Sequence, residues 1–221
     1  MSHCVRARPL RGLAGRFPFP VGDPGISSPT VHRTGYTSNT WRRRVGQVSK
    51  DRFVFLDETG AKTNMKRLHG WSNYGERLVD STPGGHWSTT TIISAIRLDG
   101  VATAMTTAGP TDALVFRGFT EHFLVPVLRD GDIVVMDNLS SHKVTGIVEM
   151  IESVGAQVWY LPPYSPDFNP IEQMWSKVKS CLRTYAARTK RTLLNAIGKA
   201  LNQVTIEECT NYFQHCGYSA T

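Results

Sequence analysis

Three acids stand where their types and spacing could hold divalent cations for chemistry at phosphorus. Asp57 closes the apolar run FVFLD, residues 53 to 57, and Asp137 closes a second run, DIVVMD, residues 132 to 137. Glu172 lies in NPIEQMWSKVK, with thirty-four residues between it and Asp137. Mg²⁺ takes one or two carboxylates and keeps several waters. Two such ions about 4 Å apart can activate an attacking oxygen and stabilise a leaving one in an in-line displacement. Each acid also has a plainer reading. Asp favours turns, which would account for Asp57 and for Asp137 beside Asn138. Asn169, Pro170 and Glu172 have the form of an N-cap, a helical first residue and the third member of a capping box. Placed together, two at strand ends and one on a helix behind a rigid loop, the acids favour a shared site.

The elements that must position them are legible in outline. FVFLD reads as a buried strand. GWSNYGERLV, residues 70 to 79, reads as a hairpin or loop. STTTIISAIRLDG, residues 88 to 100, is rich in β-branched residues and ends in an Asp99–Gly100 turn, with VATAMTTAG as the return strand. Residues 111 to 129 read as a helix capped by Thr111 or Asp112, with Leu114, Val115, Phe119, Phe123 and Val127 on one face. DIVVMD follows as a strand, KVTGIVEMIESVG as a helix ending at Gly155, and AQVWYLP as a fifth strand. Ile171, Trp175, Val178 and Leu182 form one apolar stripe on the helix of Glu172. A last helical segment covers roughly 191 to 214. A three-stranded meander followed by alternating helices and strands gives an α/β fold, a mixed five-stranded sheet flanked by helices.

Composition narrows the classes. The chain has 221 residues, 40% of them hydrophobic, and no apolar run of membrane-spanning length. Its net charge of +7 is uneven: +8 over residues 1–50, −5 over 51–170 and +4 over 171–221. Basic flanks attract polyanions such as nucleic acid. The four cysteines have no paired short spacing. Cys209, His215 and Cys216 lack an evident fourth ligand for zinc, so reduced thiols in a cytoplasmic protein are expected. Residues 1–48, with five Pro and five Gly in the first forty, read as a disordered or loosely attached basic leader. TWRRRVGQ within it reads as a short basic helix or linker. Residues 49–221 read as the folded domain.

FLDETG, VVMDNLSSHK and LPPYSPDFNPIEQMWSKVK together resemble the three signature blocks of DDE transposases of the mariner superfamily, in its bacterial insertion-sequence branch. The resemblance runs from about residue 50 to the C-terminus. It implies a ribonuclease H-like fold, in which the first and fourth strands are neighbours, and metal-dependent cleavage and strand transfer of DNA. The implied cofactor is a pair of Mg²⁺ ions, with Mn²⁺ able to substitute. Asp57 would bridge both ions, Asp137 would hold one and Glu172 the other. Asn138 and His142 match the second block as auxiliary residues, His142 serving either a water or phosphate or a loop hydrogen bond. Asp167 competes with Glu172 as the third acid, and Glu58, of opposite pleat, should point away.

Lys177, Lys179, Arg183 and Arg188 are the candidates for phosphate contacts. Trp71 and Tyr74 lie where relatives carry loops that contact DNA or a partner subunit. The implied partners are duplex DNA, at element ends and target, and a second copy of the chain. Relatives also carry helix-turn-helix domains, and the first forty residues show no such pattern; a separate helix-turn-helix polypeptide is the expected complement. Two rival readings stay open: a truncated remnant that binds DNA or the full-length enzyme without catalysis, and a ribonuclease H-like nuclease acting on another substrate.

Overall fold

The two apolar runs that end in acids become adjacent strands at the centre of one sheet. A computed structural model describes residues 38–67, 69–77, 79, 81, 84, 86–137 and 146–218. Strands β1 (Phe53–Lys62), β2 (Thr89–Arg97) and β3 (Gly100–Ala108) form the antiparallel meander; β4 (Ile133–Met136) and β5 (Gln157–Tyr160) follow. The sheet order is β3-β2-β1-β4-β5, with β4 parallel to both β1 and β5. This is the ribonuclease H-like arrangement, with the first and fourth strands side by side.

Alternation along the strands sorts the core into two layers. Phe53, Phe55, Ile92, Ile96, Ile133, Val135 and Trp159 face one side. There they pack beneath helices α1 (Ser38–Val45), α4 (Pro170–Tyr185), α5 (Lys190–Asn202) and α6 (Ile206–His215). Val54, Leu56, Ile93, Ala95, Val134 and Met136 face the other side, under α2 (Ala113–Phe119) and α3 (Ile147–Glu152). The period of two in a strand puts Asp57 and Asp137 on the first side, that of α4. Glu58 shares the parity of Val54 and Leu56, as expected of the opposite pleat.

Several sequence expectations shift. β1 runs on to Lys62, so Asp57 sits inside a ten-residue strand rather than at its end. Beyond Phe55 the strand keeps β2 as a partner while its ladder to β4 stops; ETGAK, paired on one side only, lacks the apolar run that marks a doubly flanked strand. The helix expected over 111–129 is α-helical for seven residues and continues through a π turn (Thr120–Leu124) and a 3₁₀ turn (Val125–Val127). Its cap is Asp112, whose Oδ1 accepts from Val115 N at 2.8 Å. Leu114 is 70% exposed and Phe116 fully buried, two positions and about 200° apart around the α-helical part. The final helical segment is two helices, because Thr205 and Glu208 form a reciprocal capping box that starts α6.

The packed part also begins before the expected boundary at residue 49. α1 buries Trp41 and Val45. Trp41 Nε1 donates to Tyr218 Oη at 3.1 Å, and that hydroxyl donates to Phe168 O at 2.8 Å. Arg44 lies over the Trp159 ring at 3.6 Å, a cation–π contact worth about 0.5–2 kcal/mol. The arm from Thr63 to Ser88 has no strand among its described residues. It carries Trp71, Tyr74, Val79 and Trp87 exposed.

At the end of the sheet away from the acids, Arg97 and Asp132 make a buried bidentate pair. Nη1 donates to Oδ1 at 2.8 Å and Nη2 to Oδ2 at 2.5 Å, with both side chains under 5% exposed. Arg97 Nη2 also donates to Val127 O, and Asp132 Oδ2 accepts from Arg129 N. The pair joins the end of β2 to the start of β4 across β1. Removing one partner strands a buried charge, at a typical cost of about 3–5 kcal/mol. Arg97→Met should therefore lower stability by about 3 kcal/mol in urea denaturation, and adding Asp132→Leu should recover much of that. An unchanged midpoint for Arg97→Met would show that the pair does not hold the sheet together.

Candidate active site

The register of the two central strands brings the first two acids level. Pairs run Phe53↔Ile133, Val54↔Val134 and Phe55↔Val135; two residues further along each strand stand Asp57 and Asp137. Both share a sheet face with α4, whose first turn carries Glu172. Asp57 is 8% exposed, Asp137 intermediate and Glu172 exposed. The three thus form a graded set from a rigid buried strand to an open helix end.

The electrostatics of Asp57 follow from that placement. The Asp57 carboxyl is pushed up to about 7, first by burial and then by the negative charge of Glu172, with smaller contributions from Glu58 and Asp137; the Glu58 backbone N–H acts in the opposite sense. Asp167 lies elsewhere. It lines a separate cleft of about 340 Å³ with Trp41, Arg42, Phe168, His215 and Tyr218. Glu172 stands in the first turn of the helix that shares a sheet face with Asp57, and Asp167 lines that other cleft.

Asp57 is also held by a hydrogen bond. Trp175 Nε1 donates to its Oδ2 at 3.1 Å. Ser94, directly across from Asp57 on β2, uses its hydroxyl on Thr103 O at 2.8 Å. The expected stripe on α4 is present: Ile171, Trp175, Val178 and Leu182 are buried, with Met174 added. The sequence reading placed Trp175 in that stripe and missed its indole N–H. The available signal was general: a buried Trp N–H usually finds an acceptor.

The capping box expected at the start of α4 does not form. Asn169 makes no side-chain cap hydrogen bond, and its Oδ1 is buried without a partner. Its φ of −109° and ψ of 95° accompany a link through the backbone instead, Glu172 N to Asn169 O at 3.1 Å. The Glu172 carboxylate is thus not spent on the helix end.

The basic candidates divide. Lys177 Nζ is held by both carboxylate oxygens of Glu208 and by Gln203 O, tying α4 to α6. Arg188 Nη1 donates to Thr63 O and Met65 O, at 3.2 and 2.8 Å, tying the end of α4 to the arm after β1. Both therefore take part in holding the fold, Lys177 through Glu208 and Arg188, itself exposed, through Nη1. Lys179 and Arg183 make no ion pair among the described residues. At about 100° per residue they fall within roughly 20° of Glu172 around the helix, whereas Lys177 lies about 140° away. Asn138 and His142 lie outside the described residues.

Among the described residues no three His, Cys, Asp or Glu side chains already form a metal cage. The fit to divalent cations lies in the donors and the charge. All three acids offer hard oxygens, and their mutual repulsion on Asp57 is of the kind a hard cation relieves. An open set suits ions that take one or two carboxylates each and complete their shell with water and phosphate oxygens.

The fold has solved counterparts. A pre-cleavage Mos1 transpososome matches over 81% of this chain and 57% of the other, at 14% identity and a TM-score of 0.63. A Mos1 mariner paired-end complex with Mn matches with a TM-score of 0.62, 14% identity and coverage of 80% and 56%. The catalytic domain of Mos1 mariner transposase matches with a TM-score of 0.56, 14% identity and coverage of 81% and 85%. The chain thus spans a little over half the length of the chains in those assemblies. No curated protein sequence matches it significantly. The family model for the DDE superfamily endonuclease matches residues 52–194, a span that contains Asp57, Asp137 and Glu172. The chain belongs to the DDE superfamily endonucleases.

Proposed function

We propose that this chain is the catalytic domain of a DNA transposase of the mariner superfamily, in its bacterial insertion-sequence branch. The observation that carries the reading is the placement of Asp57, Asp137 and Glu172 on one side of the sheet, close enough for Glu172 and Asp137 to act on the Asp57 charge. The similar solved structures include a Mos1 strand transfer complex and Mos1 complexes with Mn, which supports DNA strand transfer as the chemistry.

Asp57, Asp137 and Glu172 would hold two Mg²⁺ ions, or Mn²⁺ in their place. When bound, such ions supply charge neutralisation at phosphorus and a more acidic attacking hydroxyl. The chain's own part is positional. Asp57 is fixed by its strand and by Trp175, while Glu172, exposed on the first turn of α4, has room to adjust. Lys179 and Arg183 continue the Glu172 side of the helix as a basic track for the DNA backbone. Water attacks the phosphodiester at an element end; the bond to the 3′ oxygen breaks and frees a 3′-hydroxyl. That hydroxyl then attacks a phosphodiester of target DNA, displacing its 3′ oxygen.

The arm with exposed Trp71, Tyr74, Val79 and Trp87 suits a second copy of the chain or DNA, and a helix-turn-helix polypeptide would supply end recognition. The reading places the protein in the cytoplasm, on the nucleoid. Among the described residues no helix is long and apolar enough to cross a membrane.

Three outcomes are expected. With end-containing duplex, Mg²⁺ or Mn²⁺ and any separate DNA-binding polypeptide supplied, Asp57→Asn, Asp137→Asn and Glu172→Gln should each lower cleavage by roughly a hundredfold or more. If all three cleave as well as the parent, the assignment is wrong. In filter or fluorescence binding, Lys179→Ala with Arg183→Ala should weaken DNA binding and reduce the salt slope by about 2, whereas Lys177→Met should leave the slope unchanged and lower stability.

The third outcome concerns pH. The carboxyl of Asp57 is raised to about 7, so the native state holds its proton more tightly than the unfolded chain does. Its contribution is most favourable below the ordinary carboxylate range and is lost as pH rises through about 7. In metal-free buffer Asp57→Asn should therefore be more stable than the parent at alkaline pH, by up to about 4 kcal/mol, with the advantage shrinking as pH falls below about 7 and gone below the ordinary carboxylate range. Added Mg²⁺ should raise the Tm of the parent more than that of the variant. Equal pH profiles of urea stability would refute the account of Asp57.

A further inference from the structure

We propose that Trp175 is a positioning residue of the carboxylate site: its indole N–H fixes Asp57 Oδ2 and locks the Glu172-bearing turn of α4 onto strand β1. The proposal rests on the reading of Asp57 and Glu172 as cation ligands. Its geometry is direct. Nε1 lies 3.1 Å from Oδ2, Trp175 is 1% exposed and Asp57 8%. Glu172 is three residues earlier, one helical turn away.

A buried indole N–H needs an acceptor, and this protein contains the purely structural solution as well. Trp41 gives its N–H to the Tyr218 hydroxyl, which passes the chain of bonds to a backbone carbonyl. Trp175 instead meets the carboxylate at the centre of the candidate site. A bond to a charged acceptor is roughly twice as strong as a neutral one, so the indole holds the ionised form of that carboxylate most firmly. The ring is wedged in the stripe with Ile171, Met174 and Val178, so it cannot follow a rotating carboxylate. Oδ2 is held in place, and the spacing between β1 and the first turn of α4 is held with it. No other side chain of α4 donates to Asp57 among the described hydrogen bonds.

Trp175→Phe keeps an aromatic ring in the core and removes the donor. With the full chain, Mn²⁺ affinity measured by electron paramagnetic resonance should fall roughly tenfold, while unfolding in metal-free buffer stays cooperative. Should the phenylalanine variant not fold, 3-benzothienylalanine at position 175 preserves the bicyclic shape with sulfur in place of N–H, and the same loss is expected. In the unaltered protein, the Trp175 indole ¹⁵N–¹H resonance should move on addition of Mg²⁺, because its acceptor's charge is being neutralised; a ring that only fills the core would not respond.

Unchanged Mn²⁺ affinity in a folded donor-less variant, or an unmoved indole resonance at saturating Mg²⁺, overturns the role of Trp175. Mn²⁺ binding that is lost in Asp57→Asn but intact in Trp175→Phe sinks that role alone. Mn²⁺ binding that persists in Asp57→Asn sinks the cation site on which it rests.

Discussion

Like charges gathered on a buried strand repel, and the architecture around Asp57 answers to that constraint. Burial disfavours its ionised form, and Glu172, Glu58 and Asp137 add to the penalty. Left to relax, carboxylates in such a position would swing apart or take up protons. They are kept in place by elements fastened elsewhere. The Arg97–Asp132 pair pins β2 to β4 at the far end of the sheet. The parallel β1–β4 ladder sets the level of Asp57 and Asp137. Lys177 fastens α4 to α6, and Arg188, three residues past the end of α4, fastens the following turn to the arm after β1, so the helix that brings Glu172 near is anchored at its middle and just beyond its end.

α4 divides its circumference by task. Ile171, Met174, Trp175, Val178 and Leu182 face the sheet. Lys177 flanks this stripe on one side, where α6 lies. Glu172, Lys179 and Arg183 flank it on the other. At 3.6 residues per turn this separation follows from spacing alone. Two basic residues two positions apart thus take opposite duties: Lys177 holds the fold, and Lys179 joins the line that leads from Glu172. A charge count over 171–221 merges them, because it contains no angle.

What was legible in the sequence was what short-range pattern encodes. Continuous apolar runs marked the starts of β1 and β4, and the Asp99–Gly100 turn marked the β2–β3 hairpin. The Ile171–Leu182 stripe marked α4. What stayed hidden depended on partners distant in sequence. DIVVMD is bracketed by two aspartates of equal appearance; only the fold gives Asp132 an arginine, Arg97, and leaves Asp137 level with Asp57. Asn169–Pro170–Ile171–Glu172 has every sign of a capping box, yet the box is absent. TWRRRVGQ reads as a short basic helix or linker, but one residue in it, Trp41, is captured by Tyr218, 177 positions away. The break between α5 and α6 was within reach, since Thr205 and Glu208 carry the capping signature that Asn169 and Glu172 only imitate.

The length of β1 explains why the site lies where it does. Over Phe53–Phe55 the strand pairs with β4, at Phe55 with β2 as well, and its apolar residues face both layers. Beyond that the β4 ladder is gone, and β1 continues to Lys62 against β2 alone. A strand flanked on both sides has no room for water or phosphate beside it, and a strand end has no rigidity. Asp57 stands two residues past the last β4 pair, with five residues of strand still to come. It is held by a continuing backbone ladder on one side while the other side opens towards Asp137 and the first turn of α4. Rigid support and open access meet at that step in the sheet: one residue earlier Leu56 faces the opposite layer, and two earlier Phe55 is paired to both β2 and β4.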